Sequence, residues 1–361
     1  MTTTMDTGGR LVLVTGGSGF LGEALLRELN DHPVAALVHE RGVGATGRIF
    51  EGDVTRPHLG LARREYDELA DRTGTILHCA ANTNFAAPAG SIRRVNLEGT
   101  KRVLELATAA DARVCYVSTA FVARIGQLPS GRDQATGCSA GRDEYLNSKQ
   151  DAEQVVKSSG LGWLIVRPSA VIGDSATGEI ARGQGVHAFL RALCSGLVPF
   201  VPSIGETLID LIPQDVAAQA IVALLRSEPN DDGERGSEHW ITAGAEAPTA
   251  EEMVVACLEV LRRSGREIDM PRFMDLEVVE RLIFPAFLDC FSPQDQRLFE
   301  NFLALATLVV TPMRFPSSLA AIPGGPPPVT KDIVLGVIAK TVSRHFLHVR
   351  TREWAQAGAS A

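Results

Sequence analysis

Short apolar runs alternate with helical apolar patterns along the first two thirds of the chain. Residues 11–14 (LVLV) are continuously apolar and run straight into a glycine loop, which predicts a buried strand. Residues 20–29 carry apolar side chains at 20, 21, 24, 25 and 29, the spacing of one helical face. Further strands are predicted at 34–38, 48–50, 75–79, 113–118, 162–167 and 239–242, with helices at 91–110 and 144–158. This order predicts an α/β fold, a doubly wound parallel sheet with helices on both faces. Asp215 reads as the cap of a helix, and Thr249 with Glu252 as a capping box that starts another ending near Gly265. From 266 onward the pattern becomes mainly helical, with apolar segments at 278–287, 298–310 and 331–346. The proline-rich stretch at 322–328 between them reads as an ordered or semi-ordered connection.

Composition narrows the function classes. Of 361 residues 45% are hydrophobic and 22% charged, with a net charge of −8. That is the profile of a globular chain, and its acidity argues against a nucleic-acid partner. The cysteines at 79, 115, 138, 194, 257 and 290 form no CxxC pair, so neither a zinc ribbon nor a disulfide framework is signalled. No apolar stretch suggests a signal peptide, and the longest one near the carboxyl end, 302–313, is shorter than the roughly 18–20 residues of a membrane span. The expectation is a cytoplasmic protein with free thiols. His345 and His348 lie three apart, but no third ligand accompanies them, and no metal is expected.

The chemistry begins after the first strand. TGGSGFLG at 15–22 spaces glycines three apart at 16, 19 and 22 where a helix opens. The first permits the turn, the second lets backbone approach a pyrophosphate, and the third lets helix and strand pack closely. The helix amino terminus offers unsatisfied N–H groups to the phosphates. Thr15, Gly16, Ser18, Gly19, Phe20, Leu21 and Gly22 are therefore assigned to a dinucleotide. After the second strand an acid would select NAD and a base NADP; His39, Glu40 and Arg41 give a mixed answer, with His39 and Arg41 suited to a 2′-phosphate. Asp53 and Val54 follow the third strand, where a carboxylate can accept from an adenine amino group. Ala80, Ala81 and Asn82 follow the fourth, where small side chains let a nucleotide lie against the sheet edge. Asn96 is either a polar anchor beside the cofactor or a helix cap.

Tyr145 and Lys149 are four apart on one face of a predicted helix. With three tyrosines and five lysines in the chain, a chance pairing at that spacing has odds of about 0.04. A nearby ammonium, helped by an oxidised nicotinamide, favours the phenolate, so the phenol can shuttle a proton to a carbonyl oxygen as hydride reaches carbon. Ser118 and Thr119 end the fifth strand and bring hydroxyls to the same place, Thr119 as the first choice and Ser118 as its understudy.

Together TGGSGFLG, GDV at 52–54, HCAANTNF at 78–85, VNLEGT at 95–100, YVSTAFV at 116–122, YLNSK at 145–149 and VRPSAVIGD at 166–174 resemble an extended short-chain dehydrogenase/reductase. The resemblance covers roughly 10–245. STAFV, RPSAVIGDSATG and IDLIPQDVA at 209–217 are closest to the male-sterility-type branch, the fatty acyl-CoA reductases and carrier-protein thioester reductases. It implies Thr119, Tyr145 and Lys149 as catalytic, with Ser118 beside them. It also implies a dinucleotide held by Gly16, Gly19, Gly22, Asp53 and Lys149, with Pro168 at the end of the sixth strand.

The branch generally uses NADPH, but where it often carries LVR this chain has Leu37, Val38 and His39, which leaves NADH open. The implied organisation is a flexible amino terminus (1–9) and a Rossmann domain (10–245) in which 173–208 contributes to the substrate site. A smaller, mainly helical substrate-binding or lid region (246–350) and a tail (351–361) follow. The implied function is NADPH-dependent reduction of an acyl thioester, on CoA or an acyl-carrier protein, to an aldehyde and onward to an alcohol. The alternatives are a dehydrogenase or epimerase acting on a ketone, aldehyde, sterol or nucleotide sugar, and a non-catalytic dinucleotide sensor. The oligomeric state is unreadable.

Overall fold

The structure, a computed structural model, describes residues 10–39, 47–126, 137–180, 185–196, 198, 200–203, 207–227, 236–275, 278–279, 282 and 303–348. Arg41, the terminal segments 1–9 and 351–361 and most of the expected helix at 278–287 lie outside them.

A seven-stranded, wholly parallel sheet forms the centre, in the order β3 (Arg48–Glu51), β2 (Val34–Val38), β1 (Leu11–Thr15), β4 (Thr73–His78), β5 (Arg113–Val117), β6 (Trp163–Pro168) and β11 (Gly236–Ile241). Alternation along β1 shows why both faces must be covered. Val12 and Val14 enter one apolar cluster with α1 (Phe20–Glu28) and α7 (Gln214–Arg226), whereas Leu11 and Leu13 enter another with α2 (Arg63–Arg72) and α4 (Gly99–Ala110). The strand order reverses between β1 and β4, and the crevice beyond their carboxyl ends is where such sheets bind ligands.

Local chemistry accounts for most boundaries. The predicted capping box forms: Glu252 N–H donates to Thr249 Oγ1 at 3.1 Å and Thr249 N–H to Glu252 Oε2 at 2.8 Å, starting α8 (Ala250–Arg263). Three expectations are corrected. The helix predicted at 91–110 is interrupted: α3 (Ser91–Arg93) passes into a π turn (Arg94–Glu98) before α4. Thr100 Oγ1 donates to the Asn96 carbonyl at 2.6 Å, and the Asn96 side chain is engaged elsewhere, so the regular ladder yields to side-chain bonds. The helix predicted from 144 starts earlier, as α5 (Gly137–Lys157). Its early residue Arg142 is buried and donates to Thr307 Oγ1 at 2.8 Å, a tertiary support invisible to local pattern. Asp215 is not the cap of α7; Pro213 is, and Asp215 in the first turn accepts from Ser175 N–H at 2.8 Å and Ser175 Oγ at 2.5 Å.

Small sheets stitch the carboxyl-terminal region to the insertion after β6. β7 (Ala170–Ile172) pairs with β10 (Leu211–Pro213), β8 (Phe200–Pro202) with β12 (Arg272–Met274), and β9 (Leu208–Ile209) with β13 (Val310–Thr311). The last described helix, α9 (Lys331–His345), packs on α8, and Val334, Val337 and Ile338 join the same apolar cluster as Val12 and Val14. Asp210, between β9 and β10, accepts Ala243 N–H at 2.9 Å and Gly244 N–H at 2.8 Å while almost wholly buried. Replacing it with alanine strands two buried amides. Asp210→Ala is expected to lower unfolding stability by about 3 kcal/mol in urea titration; an unchanged midpoint would contradict this role.

Candidate active site

The glycine loop is built as the spacing demands. Gly16 has φ +74°, and a Cβ there would stand 2.6 Å from Ala80 N and Cα; a Cβ on Gly22 would stand 2.1 Å from Gly16 O. Both positions exclude any larger residue. A Cβ on Gly19 would meet only Gly16 O, at 3.1 Å, so its outer side is open. Gly19 caps α1 without a side-chain hydrogen bond, which leaves the first N–H groups of that helix available. A cradle that would be filled by any Cβ, ending at an uncapped helix, fits a dinucleotide pyrophosphate. Ser18 is half-buried in the loop and Leu21 is buried. Phe20 lies edge-on to His187 of α6 (Val186–Cys194), with centroids 5.0 Å apart.

The other predicted cofactor positions ring this loop. His39 is exposed at the end of β2. Asp53 Oδ1 accepts from Thr55 N–H and Oγ1, both at 2.8 Å. Burial pushes the Asp53 carboxyl up, but the Thr55 bonds and the charges of His39 and Arg56 outweigh it, so it lies below the usual carboxylate range. Val54 packs on Gly99 of α4, and Pro168 is buried where β6 ends. Thr15 is buried, and a continuous relay runs from it. Thr100 gives its proton to Asn96 O, so its oxygen accepts from His78 Nε2 at 3.0 Å; His78 Nδ1 then accepts from Thr15 Oγ1 at 2.7 Å. Thr15 Oγ1 in turn accepts from Ala80 N–H at 3.4 Å. Burial holds His78 down at about 3, with Lys149 adding to the effect, so the imidazole is a neutral spacer.

Asn96 turns out to be neither a cap nor a free anchor. Its Oδ1 accepts Asn82 N–H at 2.7 Å, and its Nδ2 donates to Asn82 O at 3.2 Å and to Ser148 Oγ at 3.1 Å. Ser148 Oγ donates to Tyr145 O at 2.7 Å. One side chain thus ties the loop after β4 to the helix bearing Tyr145 and Lys149, using a backbone reach that the π turn creates.

Tyr145, Lys149 and Thr119 come together. Lys149 is 3% exposed, donates from Nζ to Val117 O at 2.8 Å and lies 4.8 Å from the centre of the Tyr116 ring. Burial brings it down to about 8, with Cys79 and Glu153 pulling upward. The Thr119 hydroxyl lies beside the Tyr145 phenol. That phenol is pushed up to about 12 by burial, against the Thr119 hydroxyl and with Cys79 adding. Without the nicotinamide that the expectation of a phenolate invoked, desolvation is the largest influence on this phenol. Ser118 does not face this pair. Its Oγ donates to Glu153 Oε1 at 2.5 Å, so its hydroxyl is committed below the site.

An apolar wall closes on Tyr145. Phe85, Phe121, Leu308, Val309 and Phe315 cluster with it, the Phe85 ring 5.5 Å from its own. Leu308 and Val309 come from the helix at 303–309, which Arg124 and Arg142 hold: Arg124 Nη1 donates to Thr307 O and Leu308 O, and Arg142 to Thr307 Oγ1. Sequence reasoning missed both arginines, together with His78, Ser148 and Glu153, because each acts through a partner distant in the chain. Among the described residues no group of three or more His, Cys, Asp or Glu is gathered for a metal, and His345 Nε2 accepts from Ile180 N–H. Among them, too, no helix is long and apolar enough to cross a membrane.

The reversing parallel sheet, the glycine cradle and the buried Tyr145 and Lys149 define a class. The fold is Rossmann-like and matches that of the extended short-chain dehydrogenase/reductases. Residues 45–221 match the NAD-binding family described as male sterility protein. A linear gramicidin synthase of Brevibacillus parabrevis is 28% identical over 257 residues, 60% of this chain and 5% of that protein. The terminal R domain from the myxalamid PKS-NRPS pathway is 25% identical, covering 97% of this chain and 93% of that one, with a TM-score of 0.69. A thiolation-reductase di-domain from an archaeal non-ribosomal peptide synthetase shares the fold at 17% identity, 92% and 75% coverage and a TM-score of 0.61. The chain spans about 5% of the length of the first curated relatives it matches.

Proposed function

We propose that this chain reduces an acyl thioester, borne by CoA or a carrier protein, to an aldehyde and onward to an alcohol, with NADPH as donor. The observation that carries the reading is the gathering of buried Thr119, Tyr145 and Lys149, with an apolar wall packed on the phenol. The relatives support the thioester: one is named a gramicidin synthase, another a reductase joined to a thiolation domain. Exposed His39 beside the loop supports NADPH, with Arg41 its neighbour in sequence. When bound, the coenzyme supplies the hydride.

The protein's own part is electrostatic. Thr119 and Tyr145 donate hydrogen bonds to the carbonyl oxygen, where negative charge develops. Tyr145 then yields its proton to that oxygen, giving a hemithioacetal whose C–S bond breaks to release the aldehyde and the free thiol of CoA or the carrier. The Lys149 ammonium stabilises the phenolate left behind. Its anchor on Val117 O fixes the geometry. The wall of Phe85, Phe121 and Phe315 excludes water and suits an apolar acyl chain.

Oxidation of NADPH and NADH, followed at the nicotinamide absorbance, with acyl-CoA, acyl-carrier-protein, aldehyde, ketone and sugar-nucleotide panels tests this. Turnover of thioesters with NADPH is expected. Activity confined to ketones or sugar nucleotides overturns the substrate, and coenzyme binding without any turnover favours a sensor. Thr119→Val is expected to lower kcat by about 10²–10³-fold through loss of one oxyanion donor, with coenzyme affinity preserved.

A further inference from the structure

Beneath the catalytic pair lies a chain of buried charges that the reaction as derived does not use. Glu153 sits one helical turn beyond Lys149 on α5 and is 3% exposed. It accepts from Ser118 Oγ at 2.5 Å, from Arg167 Nε at 2.9 Å on the same oxygen, and from Arg167 Nη2 at 2.6 Å on the other. Arg167 also pairs with Glu238 at 2.5 Å, which Lys157 joins, and its guanidinium lies 4.9 Å from the centre of the Trp240 ring. Spacing explains the arrangement. Tyr145, Lys149 and Glu153 are four residues apart, so α5 presents a phenol, an ammonium and a carboxylate along one stripe.

We propose that Glu153 is a positioning residue for the reaction: paired with Arg167, it holds the Ser118 hydroxyl away from the substrate oxygen and supplies the counter-charge that keeps Lys149 an ammonium. This rests on the roles of Tyr145 and Lys149 proposed above. With Ser118 bound to Glu153, Thr119 is the hydroxyl left beside the phenol.

The groups facing Lys149 decide the sign of the effect. From α5 itself come Tyr145 and Glu153, from β4 His78 and Cys79, from β5 Tyr116 and the Val117 carbonyl, and from β6 Arg167 acting through Glu153. Burial lowers Lys149 to about 8, and Glu153 is one of the groups that pull it upward. The ammonium is present below that value and lost as pH rises through it. Turnover should therefore fall on an alkaline limb, and removing the Glu153 charge should move that limb to lower pH.

The test is the pH profile of kcat for thioester reduction by the full chain. Glu153→Gln is expected to move the limb down by about one pH unit, while Glu153→Asp, which keeps the charge, restores it. Arg167→Gln removes the opposing cation, so its limb should move upward. Glu238→Gln takes a carboxylate from the same arginine but not from Lys149, and its limb should stay in place. Each shifted variant is read separately, so either one that keeps the wild-type circular dichroism decides. A folded Glu153→Gln or Arg167→Gln protein with an unmoved limb overturns the role of Glu153, as does an equal shift in Glu238→Gln. A wild type with no alkaline limb in this range instead overturns the reading of Lys149 and this proposal with it.

Discussion

Tyr145→Phe is expected to lower kcat by about 10²–10⁴-fold, the usual worth of a positioned general acid, while leaving the dissociation constant for NADPH nearly unchanged. The removed hydroxyl is the proton donor, yet the ring that remains still packs against Phe85 and the helix at 303–309. The change is therefore confined to one oxygen. Thr119 keeps its own anchor, because Phe121 N–H donates to Thr119 Oγ1 at 3.4 Å. Stopped-flow turnover alongside fluorescence titration of the coenzyme separates the two effects. Full turnover in the variant would exclude Tyr145 as the acid, and loss of coenzyme binding together with turnover would make its role structural.

Gly22→Ala is expected to abolish dinucleotide binding and also to destabilise the fold. A methyl group there would stand 2.1 Å from Gly16 O and 2.9 Å from Gly17 Cα, both backbone atoms without freedom to rotate away. Gly16 cannot retreat, since it already lies against Ala80. α1 must separate from the loop, at a cost of about 1–3 kcal/mol for overpacking. The NADPH dissociation constant should rise by at least about 100-fold, equivalent to about 2.7 kcal/mol. Gly19→Ala supplies the contrast. Its methyl meets only Gly16 O at 3.1 Å, so the melting temperature should hold while affinity for the coenzyme falls, because the methyl occupies the space a pyrophosphate needs. Equal thermal losses in the two variants would show that Gly19 has a packing role instead.

The catalytic triplet was legible because its signal is local. Tyr145 and Lys149 share a helix, and Thr119 ends a strand whose apolar run announces it. Ser118 was legible as a hydroxyl in the right strand, but its orientation was not. That depends on Glu153 and Arg167, 35 and 49 residues further along, meeting beneath it. The phenol's burial was hidden for a related reason. Charge spacing is written in the chain, whereas desolvation depends on what Phe85 and the helix at 303–309 cover.

Asn96 shows the same division more finely. The motif VNLEGT marks it as polar within a helical pattern, but only the π turn turns its amide toward Asn82 and Ser148. The start of α5 likewise depends on Arg142 reaching Thr307. The amino-acid order alone determined the parallel α/β sheet, the glycine cradle and which side chains are the candidates for the reaction, since strand burial, φ > 0 tolerance and helical spacing are properties of near neighbours. Tertiary packing decided which hydroxyl lies beside the phenol and what covers it, because burial and ion pairing depend on residues brought together from separate elements.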